Sequence, residues 1–310
     1  MALIAAPAHA GTITSEDGRW VFRAAPGEAN EIRVERTAEG IRFTDAAATP
    51  TGCPGDRPTA VLCAPAAEIA LYTGDGHDRV NARTPVRLFD GGLGDNTIDY
   101  AGYGKAVRVD LARDSGPDGA QLVNVFHARG SSRDDVLLGD ETQNDLMGNG
   151  GNDRIMGRGG PDLLDGGYGR DTVIGGSGND SIDAGHGKDR LDAGPGNDQL
   201  GLTGATDAIV RCGTGFDRIS AYLLFGDAGV RRDCEQLTHQ GTLLRLARDH
   251  LFLDWDTPDF RRPRTVRVTV GERVANLRRP NGARVPLHRP ARLLIEPDDE
   301  QEPTRFRLLL

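Results

Sequence analysis

The sequence predicts an all-β chain: a solenoid of very short, stacked parallel strands, with a small N-terminal β cap and a C-terminal mainly-β segment. Three observations carry this expectation. Glycine supplies 42 of 310 residues, roughly double its ordinary share. Aromatic residues make up only 5% and the apolar set 37%, too little for a conventional helical or doubly wound core. Between residues 135 and 209, aspartate, aliphatic and glycine columns recur every nine residues, and a short fixed period is the sequence signature of a repeat architecture.

Taken in chain order, residues 1–10 are apolar and end in Ala8-His9-Ala10. That fits the small-x-small cleavage rule and reads as the remnant of a secretory signal peptide. Residues 11–68 hold short alternating runs (Trp20-Val-Phe22, Ile32-Arg-Val34, Ile41-Arg-Phe43, Val61-Leu62) separated by turn residues. They predict a small antiparallel β cap over the first rung, which solenoids need for solubility. Cys53/Cys63 and Cys212/Cys234 lack CxxC spacing and have no nearby histidines, so the even count and expected export favour two local disulfides over zinc. Each would stabilise the fold by roughly 3 kcal/mol on the chain-entropy model.

Residues 69–129 read as degenerate rungs with an insertion. Leu71, Val80, Phe89, Ile98 and Val107 keep a nine-residue aliphatic or aromatic ladder. Gly74-Asp-Gly-His-Asp78 and Gly91-Gly-Leu-Gly-Asp-Asn96 occupy its turns, 18 residues apart at Asp78 and Asn96. These turns form either one partial cation site or an empty turn. The phase breaks between 108 and 135, around Asp114-Ser-Gly-Pro-Asp-Gly119, which reads as an inserted loop.

Residues 130–239 hold the regular array. Two residues after the aspartate column stand Leu137, Leu146, Ile155, Leu164, Val173, Ile182, Leu191, Leu200 and Ile209; two before its central members stand Gly151, Gly160, Gly169, Gly178, Gly187 and Gly196. The clearest units are Gly166-Gly-Tyr-Gly-Arg-Asp-Thr-Val-Ile174 and Gly175-Gly-Ser-Gly-Asn-Asp-Ser-Ile-Asp183. Glycines at unit positions 1, 2 and 4 admit positive φ and a tight turn. Positions 7–9 form a strand that points one aliphatic side chain inward. One such residue per nine cannot build a core, so two facing parallel sheets must stack them into a ladder, two units per coil. Same-side aspartates then lie 18 residues apart in sequence and about 4.8 Å apart in space. They would repel by roughly 1 kcal/mol per pair in water. Residues 130–210 carry 15 acids against 6 bases. A divalent cation between turns reverses that repulsion, and an all-oxygen, flexible ligand set selects calcium over zinc, copper or magnesium.

These residues resemble the repeats-in-toxin (RTX, hemolysin-type) calcium-binding nonapeptide, Gly-Gly-x-Gly-x-Asp-x-aliphatic-x, which folds as a parallel β-roll. The resemblance is strongest over residues 148–201. It implies that the position-6 carboxylates Asp153, Asp162, Asp171, Asp180, Asp189 and Asp198 bind Ca2+. Turn carbonyls of Gly166, Gly167, Gly169, Gly175, Gly176, Gly178, Gly185 and Gly187 would complete the shells, each ion shared by stacked same-side turns. Asn144 in place of Asp, and Thr142 and Arg133 in place of glycine, imply weak binding in the first coil. Asp207 follows Ala205 rather than glycine. Cys212-Gly-Thr-Gly-Phe-Asp217-Arg-Ile-Ser220 is a further unit shifted by one residue.

Residues 240–310 form an Arg-rich segment with 14 Arg against 10 acids. A helix is expected over 242–252 and strands over 265–270, 274–277 and 291–295, with an edge strand at Phe306–Leu310. Its clusters Arg261-Arg262 and Arg278-Arg279 are candidate contacts for an anionic cell-surface polysaccharide. A net charge of −9 argues against nucleic acid as a partner. The absence of an 18-residue apolar run excludes a membrane-spanning helix and disfavours a pore-forming toxin. No His-Glu-x-x-His, Gly-x-Ser-x-Gly or phosphate-loop motif occurs. The sequence therefore reads as a secreted calcium-binding structural, adhesive or cell-surface module rather than an enzyme. The alternative is a polysaccharide lyase or epimerase working on the roll face, where Asp165, Asp183 and Asp192 point outward.

Overall fold

A computed structural model describes residues 11–46, 49–53, 60–66, 68–202 and 209–221, together with the backbone of nine further strands between 228 and 309. The signal-peptide reading of residues 1–10 lies outside the described residues, as do Asp207 and Cys234. The chain divides into two compact units, residues 1–140 with 144–149, and residues 141–143 with 150–310.

In the first unit, β1 (Thr12–Glu16) and β2 (Arg19–Arg23) form an antiparallel hairpin. Antiparallel pairing also joins β3 (Glu31–Arg36), β4 (Ile41–Asp45) and β5 (Val61–Cys63). The expected cap is present, and it does more than cover a rung. β2 pairs in parallel with β6 (Glu68–Tyr72), and β3 pairs in parallel with β7 (Arg79–Ala82). Each hairpin thus starts one sheet of the roll. β8 (Leu88–Asp90) and β9 (Thr97–Asp99) follow, stacking Phe89 on Leu71 and Ile98 on Val80 as the nine-residue ladder requires. Cys53 and Cys63 are joined by the expected disulfide.

The inserted segment departs from the sequence reading. β10 (Arg108–Asp110) pairs in parallel with β13 (Val136–Leu138) and places Val109, not Val107, opposite Leu137. Within the stretch read as a loop, β11 (Gln121–Val123) puts Leu122 on Phe89, and β12 (His127–Arg129) puts Ala128 on Ile98. Two rungs therefore persist through the phase break, because register follows whichever buried apolar residue meets the preceding rung and not the count in sequence. The insertion itself is tied down where Tyr103 Oη donates to Asp118 at 2.6 Å, with Tyr103 edge-on to the fully buried Tyr100. β14 (Asp145–Met147) continues the second sheet from β12.

The second unit holds the regular coils. One sheet stacks β15 (Arg154–Gly159), β18 (Thr172–Ser177), β21 (Arg190–Pro195) and β23 (Ile209–Thr214). The other stacks β16 (Leu163–Asp165), β19 (Ser181–Asp183), β22 (Gln199–Gly201) and β24 (Arg218–Ala221). Two short turn strands, β17 (Tyr168–Gly169) and β20 (His186–Gly187), pair with each other. The inward ladders are Ile155–Val173–Leu191–Val210 and Leu164–Ile182–Leu200–Ile219, all at most 1% exposed. Ile209, expected in the ladder, is 41% exposed, and Val210 takes its place. The one-residue shift anticipated at Cys212 thus begins before Val210. The parallel strands, one aliphatic residue inward per unit, make this an all-β parallel β-roll.

The C-terminal strands are β25 (Ala228–Arg231), β26 (Gln236–His239), β27 (Thr242–Ala247), β28 (His250–Asp254), β29 (Thr265–Val270), β30 (Arg273–Arg278), β31 (Ala283–Pro286), β32 (Ala291–Pro297) and β33 (Thr304–Leu309). The helix expected over 242–252 is instead the hairpin β27–β28, whose outer strand also pairs with β31. Short apolar runs suit either state, and here partner strands on both sides satisfy the backbone. The last strand is not an edge: β33 lies between β25 and β32. Among the described residues no helix is long and apolar enough to cross a membrane.

Candidate functional site

In the second unit every coil ends its turn on an aspartate held by backbone. The Asp153, Asp162, Asp171 and Asp180 carbonyls accept the amides of Thr172, Ser181, Arg190 and Gln199, each at 2.8 Å. Their own amides donate one coil onward: Asp153 N to Asp171 Oδ1 at 2.7 Å, and Asp162 N to Asp180, Asp171 N to Asp189 and Asp180 N to Asp198 at 2.9 Å each. The structure thus joins the same-side pairs 153/171, 162/180, 171/189 and 180/198. All six carboxylates are at most 2% exposed.

One carboxylate oxygen of Asp171, Asp180, Asp189 and Asp198 is engaged by this ladder. The other faces the turn. Asp180 Oδ2, Asp189 Oδ2 and Asp198 Oδ2 are buried and receive no hydrogen bond. Burial, the largest influence on each, raises the pKa of Asp180 and Asp189 and takes Asp198 up to about 6. A buried acceptor with no donor carries the full cost of its lost hydration.

The glycines shape what these oxygens face. Around position 1, a Cβ placed on Gly175 would strike Asp180 Oδ2 and Ala193 O, and one on Gly166 would meet Ala184 O and Asp171 Oδ2. A Cβ on Gly157 would likewise meet Asp162 Oδ2 and Gly175 O. Carboxylate oxygen and next-coil carbonyl therefore converge at a point that only a missing side chain leaves accessible. At positions 2 and 4 the reason for glycine is different. Gly167, Gly176 and Gly185 have φ of +90°, +115° and +77°, and Gly169, Gly178 and Gly187 lie between +141° and +145°. A Cβ on any of the last five would run into a carbonyl of the preceding coil: Arg158 O, Gly167 O, Gly151 O, Gly160 O and Gly169 O respectively.

Among the described residues, no three His, Cys, Asp or Glu side chains gather around one point. One carboxylate per turn must therefore be supplemented by backbone oxygens. An all-oxygen set of carboxylates and carbonyls fits calcium by ligand type, whereas the usual zinc donors Cys and His are absent from the ladder.

Sequence reasoning left one buried carboxylate out of the ladder. Asp217 is fully buried, and its Oδ1 accepts the Asp198 amide at 2.9 Å, extending the ladder by a further turn. The intact unit Cys212–Ser220 carried the signal, one residue out of phase. The convergence of the Ala184 and Ala193 carbonyls on these turns was also not anticipated, because the motif weights glycine whereas any residue supplies a carbonyl. Cys212 is buried and disulfide-bonded; its expected partner Cys234 lies outside the described residues.

The residues weighed for other chemistry are engaged differently. Asp192 pairs with Arg211 at 3.4 Å, and the Asp183 carboxylate accepts the Gly185 amide at 3.0 Å. His186 stacks on Tyr168 with ring centroids 4.8 Å apart, and His77 Nδ1 accepts the Asp95 amide. Arg261, Arg262 and Arg279 lie outside the described residues.

No curated protein matches the chain. Residues 129–164 and 165–200 each match the family described as the RTX calcium-binding nonapeptide repeat (4 copies), a calcium-binding repeat rather than a catalytic domain. The span matched holds the buried aspartates Asp135, Asp153, Asp162, Asp171, Asp180, Asp189 and Asp198. Residues 129–200 of this chain thus match the RTX calcium-binding nonapeptide repeat, and they lie in a parallel β-roll.

Proposed function

We propose that calcium ions sit between successive same-side turns of the second unit and that the chain is a secreted module whose second unit folds on meeting extracellular calcium. Asp153, Asp162, Asp171, Asp180, Asp189, Asp198 and Asp217 supply one carboxylate per turn. Backbone carbonyls of the turns that contain Gly166, Gly167, Gly169, Gly175, Gly176, Gly178, Gly185 and Gly187 complete the shells. The observation that carries this reading is the set of buried Oδ2 atoms on Asp180, Asp189 and Asp198 that receive no hydrogen bond. A cation satisfies them and removes the repulsion along each stack.

Calcium affinities of extracellular modules lie at about 10⁻⁴–10⁻³ M. At the far lower calcium of a cell interior the repeat array of the second unit, acidic and with one inward aliphatic residue per nine, stays unfolded. Outside, binding and folding proceed together, because the ligand set exists only in stacked coils. The folded roll serves a structural, adhesive or cell-surface role, with anionic polysaccharide as the partner class. Calorimetric titration of the intact chain with calcium, followed by circular dichroism before and after chelator, tests the reading. Strand signal that rises with calcium and falls with chelator supports it; heat-free titration and unchanged strand signal would refute it. Retention of anionic polysaccharide without turnover separates a binding module from a lyase or epimerase.

A further inference from the structure

We propose that the first unit holds its turns without calcium, because at Asn96, Asp135 and Asn144 hydrogen-bond donors stand where the second unit presents a bare carboxylate oxygen to carbonyl oxygens. The inference rests on the calcium reading of the second unit and extends it to the degenerate rungs. Counting back five residues from each turn-ending Asp or Asn gives the matching position 1: Gly175 for Asp180, Gly91 for Asn96, Thr73 for Asp78 and Gly130 for Asp135.

The turn at Asn96 shows the substitution most directly. A Cβ on Gly91 would meet the Asn96 side-chain nitrogen and Asn124 O, just as one on Gly175 meets Asp180 Oδ2 and Ala193 O. The atom facing the carbonyl is now a donor: Asn96 Nδ2 donates to Asn124 O at 3.0 Å and to Gly94 O at 3.1 Å. Its Oδ1 accepts the Asp78 amide at 3.0 Å, so the ladder bond along the coils is kept. An amide thus does with two protons what a cation does with two charges.

The neighbouring turns differ in how far they follow this pattern. At Asp78, position 1 is Thr73, which is fully buried and whose hydroxyl donates to Gly91 O at 3.4 Å; burial raises the pKa of the Asp78 carboxyl, and its Oδ2 receives no hydrogen bond, so only Oδ1 is served there. From the cap, Asn30 donates to Asp78 Oδ1 through its backbone amide at 2.7 Å and its side-chain amide at 3.2 Å. Asn30 also accepts the Arg79 amide at 2.8 Å, the bond that Asp153 accepts from Thr172 in the regular array. The cap therefore imitates a repeat turn 48 residues ahead of Asp78. At Asp135, Val107 N donates to Oδ1 at 2.6 Å, Ser131 N donates to Oδ2 at 2.5 Å, and the Ser131 hydroxyl reaches both oxygens. Asn144 donates to Phe126 O at 3.0 Å and Asp140 Oδ1 at 3.2 Å while accepting the Asp140 amide.

Packing agrees with the donor arrangement. The fully buried aromatics Phe22, Phe43, Phe89 and Tyr100 belong to the first unit, whereas the buried core described after residue 150 contains none. The first unit thus has aromatic burial to hold it together. The second has aliphatic ladders and stacks of carboxylates.

Hydrogen exchange read by mass spectrometry on the intact chain, in calcium and in chelator, tests the inference. Amides across 68–140 are expected to stay protected in both conditions, and those across 150–221 to lose protection in chelator. Loss of protection across 68–140 in chelator would overturn the inference. Protection retained across 150–221 in chelator would instead overturn the calcium reading of the second unit. Asn96→Asp provides a second test. It restores a carboxylate 18 residues from Asp78 and removes the amide donor, so protection across 91–99 should become calcium-dependent. If that variant keeps its protection in chelator, the role assigned to the amide is wrong.

Discussion

At the scale of single residues, the aspartate of each unit has two jobs, one per oxygen. Oδ1 of Asp180 accepts the Asp162 amide, while Oδ2 faces the Ala193 carbonyl across Gly175. Asp180→Ala removes both. Loss of the charge-assisted hydrogen bond alone is expected to cost about 1.5–3 kcal/mol, and calcium binding should weaken at the 162/180 and 180/198 turns together. Asp135→Ala, whose carboxylate is already served by Ser131 and Val107, should lower stability but leave calcium stoichiometry unchanged; titration calorimetry on the two variants distinguishes them. Acidity gives a second handle. The Asp198 carboxyl is raised from 3.8 to about 6, chiefly by burial. A raised folded-state value means that the carboxyl's contribution to stability is complete below its unfolded value and is lost as pH rises through about 6. Without calcium the strand signal of the repeat array should therefore be greater near pH 4.5 than near pH 7.5. With calcium the order reverses, because protons and the ion compete for the same oxygens. Circular dichroism at the two pH values, with and without calcium, checks both signs.

At the scale of elements, three-residue strands survive only as members of a stack. Ile182 lies between Leu164 and Leu200 in register and is 1% exposed. Ile182→Ala should destabilise the calcium-loaded roll by about 2–5 kcal/mol. Leu163, its neighbour on the outer face of the same sheet, is 48% exposed, and Leu163→Ala should stay within about 0.5 kcal/mol. Denaturant melts in calcium measure the contrast, and equal losses would mean that the inside–outside register is wrong. The turns impose a second constraint. Gly187→Ala places a side chain at φ +141° against the Gly169 carbonyl, a backbone strain of order 1–3 kcal/mol in addition to the clash. The hairpin β27–β28 gives the contrary case. Leu243, Leu244, Leu246 and Leu251 have spacing compatible with a helix, and partner strands decided the outcome.

At the scale of the whole molecule, the two units differ in what holds them. Cys53–Cys63 closes a loop of sequence separation 10 in the first unit, so replacing both by Ser should lower its stability by about 3 kcal/mol on the chain-entropy model. Peptide-resolved hydrogen exchange should show the loss in residues 11–140, whatever the calcium concentration. The sequence by itself determined the β-roll, the 18-residue pairing of Asp153 to Asp198, the inward aliphatic ladder and the calcium-type ligand chemistry. A strict nine-residue period leaves the chain no other way to bury one aliphatic residue per unit. Tertiary structure alone decided that Val109 and Val210 displace Val107 and Ile209, and that rungs persist at Leu122 and Ala128. It also decided that Asn30, 48 residues before Asp78, completes a turn. Once the period breaks, counting no longer says which residue lies above which. Burial and hydrogen bonding between coils choose the partner, and those depend on distances across the fold that spacing along the chain does not encode.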